Sequence, residues 1–197
     1  HRDQGPPVPR RREKIAPMTH SRHRLLDVLR QEAVLRGEFK LASGRTSSTY
    51  LDCRRATLHP EGAAMAANLL LDWLDDAGID AQCVGGPTLG ADPVVSSMVA
   101  MSWVRGRPLP GFLVRKEPKS HGTTQLLEGQ YRAGWRAVVV EDTVTSGGSL
   151  LTAVKAAEAA GLEVVATACL VDREEGAAQA LAAYRFHALF TMREVLG

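Results

Sequence analysis

The sequence predicts an α/β protein with a largely parallel central sheet flanked by helices. Two observations carry that prediction. Short extended apolar segments alternate with segments of helical periodicity along most of the chain. The run Arg136–Val140 (RAVVV) is also unbroken by polar residues, the mark of a strand covered on both faces.

The elements follow in order. Arg22–Arg36 reads as a helix, with Leu25, Leu26, Leu29 and Ala33 on one face. Phe39–Leu41 and Thr49–Arg54 read as short extended pieces around the polar turn Ser43-Gly44-Arg45. Pro60 opens a second helix at a favoured first-turn position, and Gly78 stops it after Ala77. Ala81–Val84 is a strand that runs into Gly85-Gly86-Pro87. A helix over Ala91–Trp103 and a strand over Gly111–Val114 come next.

The stretch Arg115–Gln130 is polar and reads as a loop. After RAVVV come a helix over Ser149–Ala160, a strand over Val164–Val171, a helix over Glu174–Tyr184 and a closing strand over Phe186–Phe190. In open sheets of this kind ligands bind beyond the carboxyl ends of the strands.

Composition excludes several function classes. The chain has 197 residues, 24 basic and 22 acidic, for a net charge of +2. Residues 1–17 (HRDQGPPVPRRREKIAP) hold five of the basic and two of the acidic residues, leaving 19 against 20 in the remainder. A near-neutral body gives no field for nucleic acid or an anionic membrane. The Pro- and Arg-rich segment reads as a disordered tail or as sequence ahead of a start at Met18, and 18–197 as one domain. The tail lacks the apolar core of a secretory signal, and no stretch is apolar enough to span a bilayer. Cys53, Cys83 and Cys169 are odd in number and scattered, which points to a reducing, cytoplasmic setting. The six histidines show no metal-ligand spacing.

Val138–Val154 (VVVEDTVTSGGSLLTAV) carries the most chemical information. A strand runs into Glu141 and Asp142, then a loop of small and hydroxylic residues, then a helix start. Helix N-termini hold phosphate through free N–H groups and the positive end of the dipole. Gly147 and Gly148 let the backbone approach an anion, and Thr145, Ser146 and Ser149 add hydroxyls. Neither GxxxxGK[ST] nor GxGxxG is present. Two acids before a phosphate cradle would repel phosphate but would accept hydrogen bonds from a ribose. The alternative is an acid-terminated strand followed by an ordinary turn and cap.

A second stretch, Phe112–Gly122 (FLVRKEPKSHG), places Arg115, Lys116, Lys119 and His121 on a loop that Pro118, Ser120 and Gly122 keep from being helical. Such a cluster is either solvated surface or a device for a leaving group that gains negative charge.

The acid pair and its loop resemble the site for 5-phosphoribosyl 1-diphosphate (PRPP) of type I phosphoribosyltransferases. The spacing Arg-Lys-x-x-Lys-x-His-Gly is similar to the catalytic loop of the orotate phosphoribosyltransferases. The resemblance spans about Leu25 to the C-terminus. It implies the type I fold with a small N-terminal hood-like region, and transfer of phosphoribosyl from PRPP to orotate in UMP synthesis. Glu141 and Asp142 would then hold the ribose, and Thr143, Val144, Thr145, Ser146, Gly147, Gly148 and Ser149 its 5-phosphate. Arg115, Lys116, Lys119 and His121 would stabilise the departing diphosphate, so that Lys116, Lys119, His121 and Asp142 count as catalytic. Phe39–Asp52 resembles the base-binding segment, with Tyr50 and Leu51 beside the orotate ring, and Thr145 and Arg173 complete that contact. The resemblance further implies a homodimer sharing the catalytic loop, and Mg²⁺ bound mainly through PRPP and diphosphate.

Two positions depart from the family pattern. Ala42 stands where many members have lysine, and Thr88-Leu89 where many have an aromatic-lysine pair. Arg45, Arg54 and Arg55 are the nearby cations available to compensate. Transfer to another base, and a PRPP-sensing regulator without turnover, are the alternative readings. A base panel separates the first, and salt-dependent nucleic-acid binding would mark the second.

Overall fold

A computed structural model describes residues 18–40, 44, 46–117 and 126–197. Helix α1 (Met18–Val28) passes into a π-helical turn, Leu29–Ala33, and then into strand β1 (Val34–Lys40). Strand β2 (Thr46–Leu51) pairs with β1 in an antiparallel ribbon, followed by the short helix α2 (Arg54–Thr57) and by α3 (Pro60–Asp76). The rest alternates: β3 (Cys83–Pro87), α4 (Ala91–Val104), β4 (Gly111–Val114), β5 (Leu127–Gly129), β6 (Arg136–Val144), α5 (Gly148–Ala159) and β7 (Glu163–Asp172). The short α6 (Ala177–Ala180), a 3-10 turn, β8 (Phe186–Thr191) and α7 (Met192–Leu196) complete the order.

The main sheet has six strands in the order β5-β4-β3-β6-β7-β8, with β5 antiparallel to β4 and the other pairs parallel. The strand order therefore reverses between β3 and β6. Chain leaving β3 crosses toward β4, and chain leaving β6 crosses toward β7. The gap between those two carboxyl ends is the topological switch point, where open α/β sheets bind ligands.

Alternation along β6 divides the interior in two. Val138 and Val140 pack with Leu25, Leu70, Val94 and Met98 from α1, α3 and α4. Ala137 and Val139 pack on the other face with Leu150, Ala153, Val154 and Ala157 of α5. Side chains on a strand alternate faces, which sends Glu141 and Asp142 to opposite sides, although Val144 at the strand end returns to the α5 side. The observed architecture is the predicted one: a mainly parallel sheet between helical layers.

Several predicted boundaries move. The helix expected over Arg22–Arg36 stops earlier, because Val34, Leu35 and Arg36 pair with Leu51, Tyr50 and Thr49. Leu25, Leu29 and Ala33 are still fully buried, so the apolar face continues through the π turn. The extended piece expected to reach Arg54 ends at Leu51, and Arg54 begins α2, its N–H bonded to Asp52 Oδ1 at 3.2 Å. Leu127–Gly129 is a strand within the stretch read as loop, with Leu127 buried against the core. The helix expected over Glu174–Tyr184 reduces to one short turn and a 3-10 segment. The terminal α7, not anticipated, starts at a reciprocal capping box between Thr191 and Glu194.

Candidate active site

The acid pair lies inside β6 rather than after it. Glu141 pairs with Cys169 of β7, Thr143 with Val171 and Val144 with Asp172. The ladder outlasts the apolar run because β7 is itself ten residues long and supplies partners to the end. Glu141 and Asp142 thus project from a fixed backbone on opposite faces of the sheet.

Glu141 continues the face of Ala137 and Val139 toward α5. Its Oε1 accepts a hydrogen bond of 3.0 Å from the Ser149 hydroxyl in the first turn of that helix. Burial pushes its carboxyl up to about 7, against the opposing influences of the Ser149 bond and the Lys116 charge. Asp142 continues the face of Val138 and Val140 toward α4. A side-chain carbon on Gly90, the residue before α4, would lie 2.4 Å from Asp142 Oδ1. Only glycine allows the loop after β3 to approach the acid this closely. Burial also raises the Asp142 carboxyl, opposed by the backbone N–H of Thr143 at 2.8 Å and by the Arg54 charge.

Between β6 and α5 the loop Thr145-Ser146-Gly147 bends around a cavity of about 140 Å³. Its lining runs from Glu141 and Thr143 through Ser149. Gly147 adopts φ of 86°, the left-handed conformation that lets the chain turn into the helix without strain. The first N–H groups of α5 then face the cavity with no helical partner, which suits a phosphate.

A second cavity of about 440 Å³ meets this one at Ser149 and extends between β4 and α5. Arg115, Lys116 and Lys155 line it. Arg115 is anchored through its N–H to Leu126 O at 2.9 Å, with Nη1 3.5 Å from Glu128 Oε1. Lys119 and His121 lie outside the described residues, as does Ala42.

The remaining predicted residues collect at the same edge. Arg173 follows β7, its N–H bonded to Val144 O at 2.9 Å and its guanidinium to Glu175 at 3.1 Å, while among the described residues its buried Nε has no partner. Asp172 accepts the N–H of Glu174 at 2.8 Å, which forms the turn that carries Arg173. Tyr50 is exposed on the β1–β2 ribbon, stacked obliquely on Phe39 at 5.6 Å. Leu51 turns the other way, into the core. Cys53, just beyond β2, is buried against the end of β6, with its thiol hydrogen-bonded to Thr143 and pushed up to about 12 by burial. That contact joins the ribbon to the sheet.

Sequence reasoning missed Gly90 and Lys155 and left the Asp52–Arg54 pair unread. The pair had a local signal, an Asp two residues before an Arg at a helix start. Gly90 had none, since its neighbour Asp142 is distant in sequence.

The family model described as phosphoribosyl transferase domain matches residues 95–187. The orotate phosphoribosyltransferase of Rhodopirellula baltica is 46% identical over 162 residues, which is 80% of this chain and 84% of that protein. Among solved structures, orotate phosphoribosyltransferase of Mycobacterium tuberculosis H37Rv superposes with a TM-score of 0.80 at 41% identity, covering 89% of this chain and 98% of that one. The same enzyme in complex with PRPP gives 0.77 at 39% identity, over 90% and 99%. At this identity and coverage, the chain belongs to the orotate phosphoribosyltransferase family of type I phosphoribosyltransferases.

Proposed function

We propose that residues 18–197 act as one catalytic domain that transfers the 5-phosphoribosyl group of PRPP to orotate, giving orotidine 5-phosphate and diphosphate. The observation that carries this reading is the division of labour across β6. Glu141 faces the cradle at the start of α5, and Asp142 faces the loop after β3. A ribose set over the strand end can offer hydroxyls to both while its 5-phosphate enters the 140 Å³ cavity of Thr145–Ser149.

The transfer forms a bond from an orotate ring nitrogen to the anomeric carbon as the bond to diphosphate breaks, and the ring N–H proton passes to the released diphosphate or to water. The chain supplies no nucleophile of its own. It acts by positioning and by stabilising charge. Arg115, Lys116, Lys119 and His121 take up the charge on the departing diphosphate, with His121 or a lysine available as proton donor. Thr145 and Tyr50 border the base, Leu51 supports that segment from the core, and the free Nε of Arg173 suits the orotate carboxylate.

Mg²⁺ fits this donor set as a substrate-borne ion. Glu141 and Asp142 leave one strand on opposite faces, and among the described residues no group of three His, Cys, Asp or Glu side chains could cage a metal. A hydrated Mg²⁺ would take its ligands from diphosphate and water and would offset the charge of PRPP.

The family resemblance supports a homodimer in which the catalytic loop serves the partner's site. Three free, buried cysteines agree with a cytoplasmic setting. Among the described residues no helix is long and apolar enough to cross a membrane. The test is orotate absorbance after addition of PRPP and Mg²⁺, with adenine, hypoxanthine and uracil in parallel. PRPP-dependent loss of orotate is expected. Turnover of another base alone would overturn the substrate, and PRPP binding without any turnover would leave a sensor.

A further inference from the structure

Asp142 lies on the face of β6 opposite Glu141, and Arg54 is a cation whose charge bears on it. A ribose held at the acid pair with its 5-phosphate in the cradle must direct its diphosphate away from α5. That direction is the face of Asp142, bordered by Leu89, Gly90 and α2. Leu89 is 64% exposed there and carries no charge. A diphosphate brought beside Asp142, with Asp92 on the same wall, would be repelled unless a positive group answered it.

Arg54 is in place to do so. Arg54, Leu89 and Asp92 line one cavity of about 560 Å³, floored by Thr57 and Ser96. Leu89, on the wall of this cavity, is followed directly by Gly90, against which the Asp142 carboxylate lies. The guanidinium is held in a fixed orientation. Asp52 accepts from its Nε at 2.8 Å and its Nη2 at 3.2 Å, and also takes the Arg54 backbone N–H. Among the described residues Nη1 has no hydrogen-bond partner, which leaves its two hydrogens for a ligand. The Arg54 charge is also felt at Asp142. As a bare surface ion pair, with side chains 42% and 21% exposed, Asp52–Arg54 would contribute little to stability.

We propose that Arg54 is a further substrate-binding residue that receives the diphosphate group of PRPP, with Asp52 as its positioning residue. The proposal rests on the transferase reading above. It adds a cation from α2, which continues the hood ribbon, to those that the cationic loop brings to the diphosphate. Chain that enters α2 thereby takes part in binding as well as in packing.

The experiment compares wild type with Arg54→Ala, Arg54→Lys and Asp52→Asn. Titration calorimetry gives affinities for PRPP and for inorganic pyrophosphate, each with Mg²⁺, and steady-state kinetics give KM for PRPP and orotate. Loss of one charge-assisted hydrogen bond predicts PRPP and pyrophosphate binding weaker by about ten- to a hundredfold in Arg54→Ala. KM for orotate should stay within about threefold, Arg54→Lys should recover part of the loss, and Asp52→Asn should fall between. Unchanged PRPP and pyrophosphate affinity in Arg54→Ala overturns the assignment. So does a parallel loss of orotate and PRPP affinity with a lowered Tm, the signature of a purely structural pair. Wild-type turnover of orotate alongside either result keeps the transferase reading, whereas wild type that binds neither PRPP nor pyrophosphate overturns both.

Discussion

The Ser149 hydroxyl donates to Glu141 Oε1 at 3.0 Å, tying the first turn of α5 to the end of β6. This bond favours the carboxylate, yet burial outweighs it and pushes Glu141 up to about 7 from an ordinary 4.5. The folded chain therefore binds that proton more tightly than the unfolded chain does. Its stabilising contribution is complete below about pH 4.5 and is lost as pH rises through 7. Glu141→Gln should stabilise the fold at pH 8 by about 1–3 kcal/mol, raising Tm by several degrees, while turnover falls. Thermal melts at pH 5 and pH 8 check this. An equal gap at both would mean that ionised Glu141 is not the source.

Lys116 tests the cationic loop. It stands just beyond β4, lines the cavity that meets the cradle at Ser149, and bears on Glu141. Lys116→Ala should reduce kcat by about 10²–10³, the usual worth of one preorganised group aimed at developing charge. Its circular dichroism and Tm should match wild type, because the side chain is exposed. Near wild-type turnover would remove Lys116 from the mechanism.

The sequence made some of this legible and not the rest, for physical reasons. Strand β6 was readable through Val140 because burial on both faces demands an apolar run. Its last four residues were not, since their pairing is decided by the length of β7. Val34–Arg36 fit a helical pattern locally, and the ladder to Leu51, Tyr50 and Thr49 overrides it. The loop Thr145–Ser149 is contiguous in sequence, so its glycines and hydroxyls could be read locally. The closeness of Gly90 to Asp142 depends on β3 lying beside β6, which no local pattern encodes.

That contact makes its own prediction. Gly90→Ala would put a methyl carbon 2.4 Å from Asp142 Oδ1. The carboxylate can rotate away, so the fold should survive with a small loss of stability. Its displacement by about 1 Å from the ribose should lower kcat/KM by about a hundredfold. Kinetics and melts on the same sample separate the two effects. Unimpaired turnover would mean that the position of Asp142 is not critical.

Arg173 separates base recognition from PRPP recognition. Among the described residues its buried Nε has no partner, while Glu175 holds the other end of the guanidinium. Arg173→Ala should raise KM for orotate by about ten- to a hundredfold and leave KM for PRPP nearly unchanged. Arg173→Lys should restore little, because an ammonium cannot reproduce the planar fork. If both KM values rise together with a drop in Tm, Arg173 serves only the turn after β7.

His187 provides a titration on the other face of the sheet, opposite in sign to that of Glu141. It stacks on Trp73 of α3 at 4.7 Å with planes 8° apart. Burial first, and then the Arg22 charge, hold its pKa below the ordinary 6.5. The neutral ring is favoured in the folded state, so its contribution is present above pH 6.5 and is lost as pH falls through the folded pKa. His187→Phe keeps an aromatic face on Trp73 without a proton to bind. Its stability, followed by urea unfolding between pH 7 and pH 5, should decline less on acidification than that of wild type. Over the same interval Glu141 strengthens the fold on acidification, so the wild-type slope is a difference of two opposed effects. Combining His187→Phe with Glu141→Gln should leave a profile flatter than either single variant. The two sites lie on opposite faces of the sheet with β7 between them, and their slopes should add. Failure of additivity would mean that one substitution perturbs the sheet that carries both groups.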